Sequence, residues 1–123
     1  MAEYLPLHKP GEAITRAASA AITSGQLLSV SGSGTVAPCS AGDTSWLGVA
    51  SKDTASGDNL TVFCGGTQRI VAGTGGVTAG SLVQAGAAGT VVAHTNGTND
   101  SNIVGVALTT ATATNVAEIQ MER

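Results

Sequence analysis

Aromatic and charged side chains are both scarce in this chain. Its 123 residues hold one Trp, one Tyr and one Phe, and only 11% are charged, against roughly 25% in ordinary soluble domains. A disordered chain is rich in charge and poor in aliphatics. Here Ala, Val, Leu and Ile carry most of a 42% hydrophobic fraction, so a folded core is expected. The five basic residues, Lys9, Arg16, Lys52, Arg69 and Arg123, are scattered and outnumbered by eight acidic ones. A nucleic-acid binder concentrates positive charge to displace phosphate counterions, so nucleic acid is not expected as a partner. No apolar run reaches the roughly 18 residues of a membrane span, and no membrane partner is expected. The opening MAEYLPLHKPGEA lacks a basic segment followed by an apolar run, which predicts no secretory leader and synthesis in a cytoplasm. Cys39 and Cys64 form neither a CxxC pair nor a disulfide framework, which predicts two ordinary thiols.

In place of charge and aromatics the chain carries 17 Gly and an abundance of Thr and Ser, residues suited to turns and strands. They are written in one order twice. Ile22-Thr23-Ser24-Gly25-Gln26-Leu27-Leu28 matches Val77-Thr78-Ala79-Gly80-Ser81-Leu82-Val83, and Gly34-Thr35-Val36 matches Gly89-Thr90-Val91 at the same offset. Trp46-Leu47-Gly48-Val49-Ala50 matches Ile103-Val104-Gly105-Val106-Ala107, and Asn59-Leu60-Thr61-Val62-Phe63 resembles Asn115-Val116-Ala117-Glu118-Ile119. Any one match is cheap in such a composition. Four in the same order, at nearly constant spacing, point to a duplication, with one repeat over about 20–72 and the other over about 76–123.

Each repeat reads as β. Gly25 and Gly80 mark tight turns that need φ > 0 or close approach. Residues 26–30 and 81–85 are short strands, residues 31–34 and 86–89 are hairpin connections, and residues 35–37 and 90–93 return as partner strands. Gly48 and Gly105, inside the next strands, suggest a bulge or a close backbone crossing. Residues 59–64, 68–72 and 116–121 supply further strands. Leu60 and Val62 alternate with Thr61 and Phe63, which predicts a strand mostly buried on both faces. The β-branched run at 109–115 reads as loop. Each repeat alone would leave an apolar face uncovered, so the two are expected to share a core, joined at Gly73-Thr74-Gly75-Gly76. The fold class is therefore all-β: a single compact barrel or sandwich domain over 20–123 built from two similar repeats. Residues 1–19 lie outside the repeat. Pro6 and Pro10 disfavour regular structure there, while Tyr4, Leu5 and Leu7 are apolar, which predicts an extended N-terminal arm leading into a strand at 12–18.

Chemistry is hard to find. Gly73-Thr74-Gly75 approaches a dinucleotide fingerprint, but Thr78 stands at the third glycine position and a strand follows. Ser33 has no GxSxG context. Asp53 and Asp58 flank a loop, where Asp ordinarily caps turns. Cys39 and His94 fall at equivalent places in the two repeats, and Cys64 and His8 are remote in sequence; zinc needs converging ligands, so no metal is expected. Trp46, aligned with Ile103, is expected in a core or interface. With two His and few charges, no catalytic residue and no cofactor is expected.

Ala2-Glu3-Tyr4-Leu5-Pro6-Leu7, Lys9-Pro10-Gly11, Gly34-Thr35-Val36-Ala37-Pro38, Leu47-Gly48-Val49-Ala50 and Val104-Gly105-Val106-Ala107-Leu108, with the duplicated stretches above, cover almost the whole chain. In these the sequence resembles the head decoration proteins of tailed bacteriophages, closest to those of phages infecting actinobacteria. The resemblance implies a non-enzymatic cement protein on the capsid exterior, made in the host cytoplasm. Its partners would be the major capsid protein and itself, as a homotrimer at three-fold or quasi-three-fold positions. The arm residues Tyr4, Leu5, Pro6, Leu7, His8, Lys9 and Pro10 are the candidates for contact with capsid or a neighbouring copy. The competing class is a carbohydrate- or ligand-binding β module, for which Trp46 and Tyr4 alone could stack on a sugar.

Overall fold

The computed structural model describes residues 13–95 and 100–122. Ten strands follow one another: β1 (Ile14–Ala18), β2 (Leu27–Gly32), β3 (Thr35–Pro38), β4 (Trp46–Ala50), β5 (Asn59–Phe63), β6 (Thr67–Val71), β7 (Leu82–Ala85), β8 (Val91–Ala93), β9 (Ile103–Ala107) and β10 (Val116–Met121). Side-chain alternation builds them. In β10, Ala117, Ile119 and Met121 point inward while Val116, Glu118 and Gln120 face out. Among the described residues only two short 3-10 turns, Ala87–Gly89 and Asp100–Asn102, are helical. Residues 109–115 are loop, held by one bridge from Ala111 to Val77.

The strands form an all-β fold of two sheets. The first is a closed barrel in the order β1-β3-β2-β4-β5, sealed by antiparallel pairing of β1 with β5. The second sheet runs β6-β10-β9-β7-β8. A single parallel bridge from Ala72 to Val91 stands where β1 and β3 pair in the first. The two sheets thus have the same connectivity, and closure leaves few free edges for unwanted strand addition.

The register shows the duplication residue by residue. Leu28 lies opposite Gly48 and Val83 opposite Gly105; Ile22 bridges Thr54 and Val77 bridges Ala111. Both β2–β4 and β7–β9 carry a bulge at the same place. Gly48 and Gly105 combine both expectations made for them. They sit beside the bulge, and a Cβ on either would collide with the neighbouring backbone, at Phe63 O and Gln120 O respectively. Gly25 and Gly80 turn at φ of 83° and 87°.

Four sequence readings need correction. Residues 67–71 do not close the first repeat; they open the second sheet, pairing with β10 as β1 pairs with β5. The sheets therefore divide at Gly65-Gly66, both in the left-handed region, rather than at residues 73–76. The closing strands align one residue further along than the sequence match gave, since Ala50 pairs with Val62 and Ala107 with Ile119. A one-residue slip would turn Glu118 into the core. The first hairpin is tighter than residues 31–34, because Gly32 pairs with Thr35 and leaves Ser33-Gly34 as the turn. Finally, β5 buries one face only: Leu60 and Val62 are inside, and Phe63 is exposed.

Two apolar clusters hold the fold. Ile14, Ala18, Ile22, Leu28, Val36, Ala50, Leu60 and Val62 fill the first barrel. The second cluster joins the interior of the second sheet, including Val83, Val91, Ala107 and Ile119, to four side chains from the outside of the first: Leu27, Cys39, Trp46 and Val49. One core shared by both repeats is expected from the sequence; the first barrel instead has a core of its own, and only the second cluster is shared. Fully burying an aliphatic side chain is worth about 1.5–3 kcal/mol, so the four plugging residues fix the two sheets as one body.

Candidate functional site

Among the described residues, Cys39, Cys64, His94 and Asp53 are engaged in hydrogen bonds within the fold. The Cys39 thiol is buried and donates to Gly86 O at 3.3 Å. Burial pushes its pKa up to about 12, with the Asp43 carboxylate adding to the rise. Cys64 is half-buried and its thiol is also raised, by burial, against a lowering by Arg16. Both cysteines are free, but with their thiols raised by burial neither is a ready thiolate nucleophile. His94 Nδ1 donates to Gln84 Oε1 at 2.9 Å. Asp53 Oδ1 accepts from Ser24 N at 2.8 Å, the turn-capping role expected of it. Among the described residues no three His, Cys, Asp or Glu side chains cluster as metal ligands.

Trp46 sits in the junction between the sheets with 1% of its surface exposed. A ring so placed cannot stack on a sugar, which removes the principal residue of the carbohydrate-binding reading. Tyr4 lies outside the described residues, as do Leu5, Pro6, Leu7, His8, Lys9 and Pro10. What is described is the point at which they lead in: Ile14 opens β1 opposite Val62, on the barrel rim where β5 ends at Phe63 and Cys64 follows.

Hydrogen bonds cross the same junction, two between backbones and one from a side chain. Gly42 N donates to Ala85 O at 2.9 Å, Gly89 N to Cys39 O at 3.0 Å, and Gln26 Nε2 to Ala88 O at 3.1 Å. A Cβ at Gly89 would meet the Gln26 side chain at 2.6 Å, so glycine there lets the two halves touch. These contacts also explain the unequal hairpins: the second is bent into a 3-10 turn with Ala88 at φ 55° against the first barrel. Two shallow grooves flank the junction. One, of about 400 Å³, is walled by Val71, Gly73, Thr90, Val92 and Thr114; the other, of about 240 Å³, by Ser24, Gln26, Ala88 and Thr90. Neither has an ionisable side chain in its wall.

The remaining candidates are surfaces. The outer side of the β6–β10 ladder sets Val71 across from Val116, Arg69 across from Glu118, and Thr67 across from Gln120, with Thr67 Oγ1 donating to Gln120 Oε1 at 2.9 Å. Val30, Phe63 and Leu82 are exposed elsewhere on the two sheets, and Leu108 just past the end of β9. The sequence match could not single these out, because exposure depends on what packs opposite and Leu82 has the same residue type at its equivalent position, Leu27.

The described residues form a two-sheet all-β body whose remaining candidate features are surfaces. The particular family follows from comparison: a model of the phage cement protein family matches residues 8–122, and the chain belongs to that family. The fold is similar to that of the N base of head fibre gp8.5 of bacteriophage phi29, with a TM-score of 0.70 and 18% identity. That likeness covers 90% of this chain and 93% of the phi29 chain. No curated protein matches. As a member of that family it is a phage structural protein.

Proposed function

We propose that the protein cements phage capsids, binding the outer surface of the assembled head and bridging neighbouring major capsid subunits. The observation that carries the reading is the family match across residues 8–122. The physical character of the chain supports it. Low charge density lowers the desolvation cost of packing large areas of surface against partners, and a closed barrel gives a rigid body. The protein acts without catalysis, on the virion exterior, after synthesis in the host cytoplasm. It assembles as a homotrimer at three-fold or quasi-three-fold positions. On this reading its nearest kin would be the decoration proteins of phages that infect actinobacteria. Residues ahead of Ala13 serve as an arm, with Tyr4, Leu5, Pro6, Leu7, His8, Lys9 and Pro10 touching capsid or a neighbouring copy. An arm adds contact area to a small body, and several modest contacts held in one geometry gain by effective concentration.

The test is co-sedimentation of the protein with undecorated capsids. The full chain should saturate the capsids, and a chain lacking residues 2–10 should keep its fold and lose at least tenfold in affinity. Unchanged decoration by the shortened chain overturns the arm assignment. Failure of the full chain to sediment with capsids overturns the cement reading itself.

A further inference from the structure

The two repeats share a fold but are not buried alike, and the differences form two complementary surfaces. Leu27 and Leu82 hold the same register position, opposite Val49 and Val106, and the residues after β3 and β8 bond back identically, Cys39 N to Leu27 O and His94 N to Leu82 O. In the first repeat this outer face (Leu27, Ser29, Cys39, Trp46, Val49) is buried by the second sheet. In the second repeat the same face, Leu82, Gln84, His94, Ile103 and Val106, is open. Leu82 is 37% exposed where Leu27 is 0%, and the other four are half-buried.

The receiving side shows the converse. The second sheet takes the plug at Ala85, Val104 and Met121, all buried, and at the hairpin where Gly89 meets Gln26. The register equivalents in the first barrel are Val30, Leu47, Cys64 and Gly34. Val30 is 49% exposed, Leu47 and Cys64 are half-buried, residues 31–34 are exposed, and a Cβ at Gly34 would meet nothing within 4 Å. The molecule thus offers one unused plug on its second repeat and one unused socket on its first.

We infer that copies of this chain join head to tail, the β7–β9 face of one copy seating on the Val30–Leu47–Cys64 rim of the next. The contact extends the one already made inside each chain, so its geometry and its apolar centre are set by the duplication. Gln84 and His94 stand where Ser29 and Cys39 are buried, which makes the contact between copies more polar and reversible than the one within them. Such a heterologous contact closes into a ring when the rotation allows and otherwise runs on. The inference concerns the purified protein and stands or falls apart from capsid binding.

Sedimentation equilibrium over a wide concentration range tests it, with Trp46 emission as the check on folding. Leu82→Asp spoils the plug and Val30→Asp the socket, both at exposed positions; Val116→Asp, exposed on neither surface, is the control. The wild-type chain and the control should associate, and each of the two variants alone should dissociate at least tenfold more readily. Mixed together, the two variants should form pairs and nothing larger, since one intact plug meets one intact socket. A wild-type chain that stays monomeric overturns the inference. So does a mixture that recovers no pairs, which would indicate a symmetric contact. If deleting residues 2–10 abolishes association while Leu82→Asp leaves it intact, the arm occupies the socket and the inference is wrong.

Discussion

The Cys39 thiol and the Gly86 carbonyl, 3.3 Å apart, tie the end of the first barrel's third strand to the hairpin of the second sheet. The bond crosses the junction on which the two repeats depend. It also carries a pH signature. The raised thiol, at about 12 against an ordinary 9.0, means that the folded state holds this proton more tightly than the unfolded state does.

The stability contributed by Cys39 should therefore be fully present below pH 9 and fall as pH rises from about 9 toward about 12. Over that window the unfolded chain binds fewer protons, so stability declines by about 1.4 kcal/mol per pH unit for one such group. Urea unfolding of the wild type and Cys39→Ser, compared at pH 8 and pH 10.5, should show a steeper loss in the wild type. Equal slopes would mean that burial does not perturb this thiol.

Gly105 and Gly34 differ in what a methyl group would meet. At Gly105 an added Cβ runs into the Gln120 backbone, which cannot swing aside as a side chain could. At Gly34 the space is open and only the left-handed φ of 76° opposes substitution. Gly105→Ala should cost about 3 kcal/mol or more through forced backbone movement, and Gly34→Ala about 1–2 kcal/mol. Chemical denaturation midpoints decide the order. A costlier change at Gly34 would place the tight crossing elsewhere.

Trp46 is the chain's single tryptophan and is buried at the junction. Its emission should be blue-shifted and shielded from acrylamide in the native protein, and should red-shift in one step on unfolding. Trp46→Ala should destabilise by about 3–5 kcal/mol, the range for emptying a large aromatic site. Easy quenching in the native state would contradict the junction.

Much of the fold was legible because it is written locally. A glycine at a left-handed turn leaves its mark whatever packs around it, so Gly25 and Gly80 disclosed their turns, and alternation along β5 disclosed a strand. The repeat of such marks disclosed the duplication. The membership of β6 was not legible, because β1 and β6 share almost no side chains: Ile14 and Gln68 hold equivalent positions, as do Arg16 and Ile70. Nor was the register of β10, where Asn59 and Asn115 offered an attractive match one residue out of phase.

By itself, then, the sequence determined an all-β duplicated scaffold with little catalytic equipment, since composition, turn glycines and period-two patterning act within a few residues of one another. Only the tertiary structure decided which of two equivalent residues is covered. Leu27 and Leu82 are the same amino acid at the same register position, and one is buried while the other faces solvent. Burial is a property of what stands opposite, and the second sheet stands opposite only one of them.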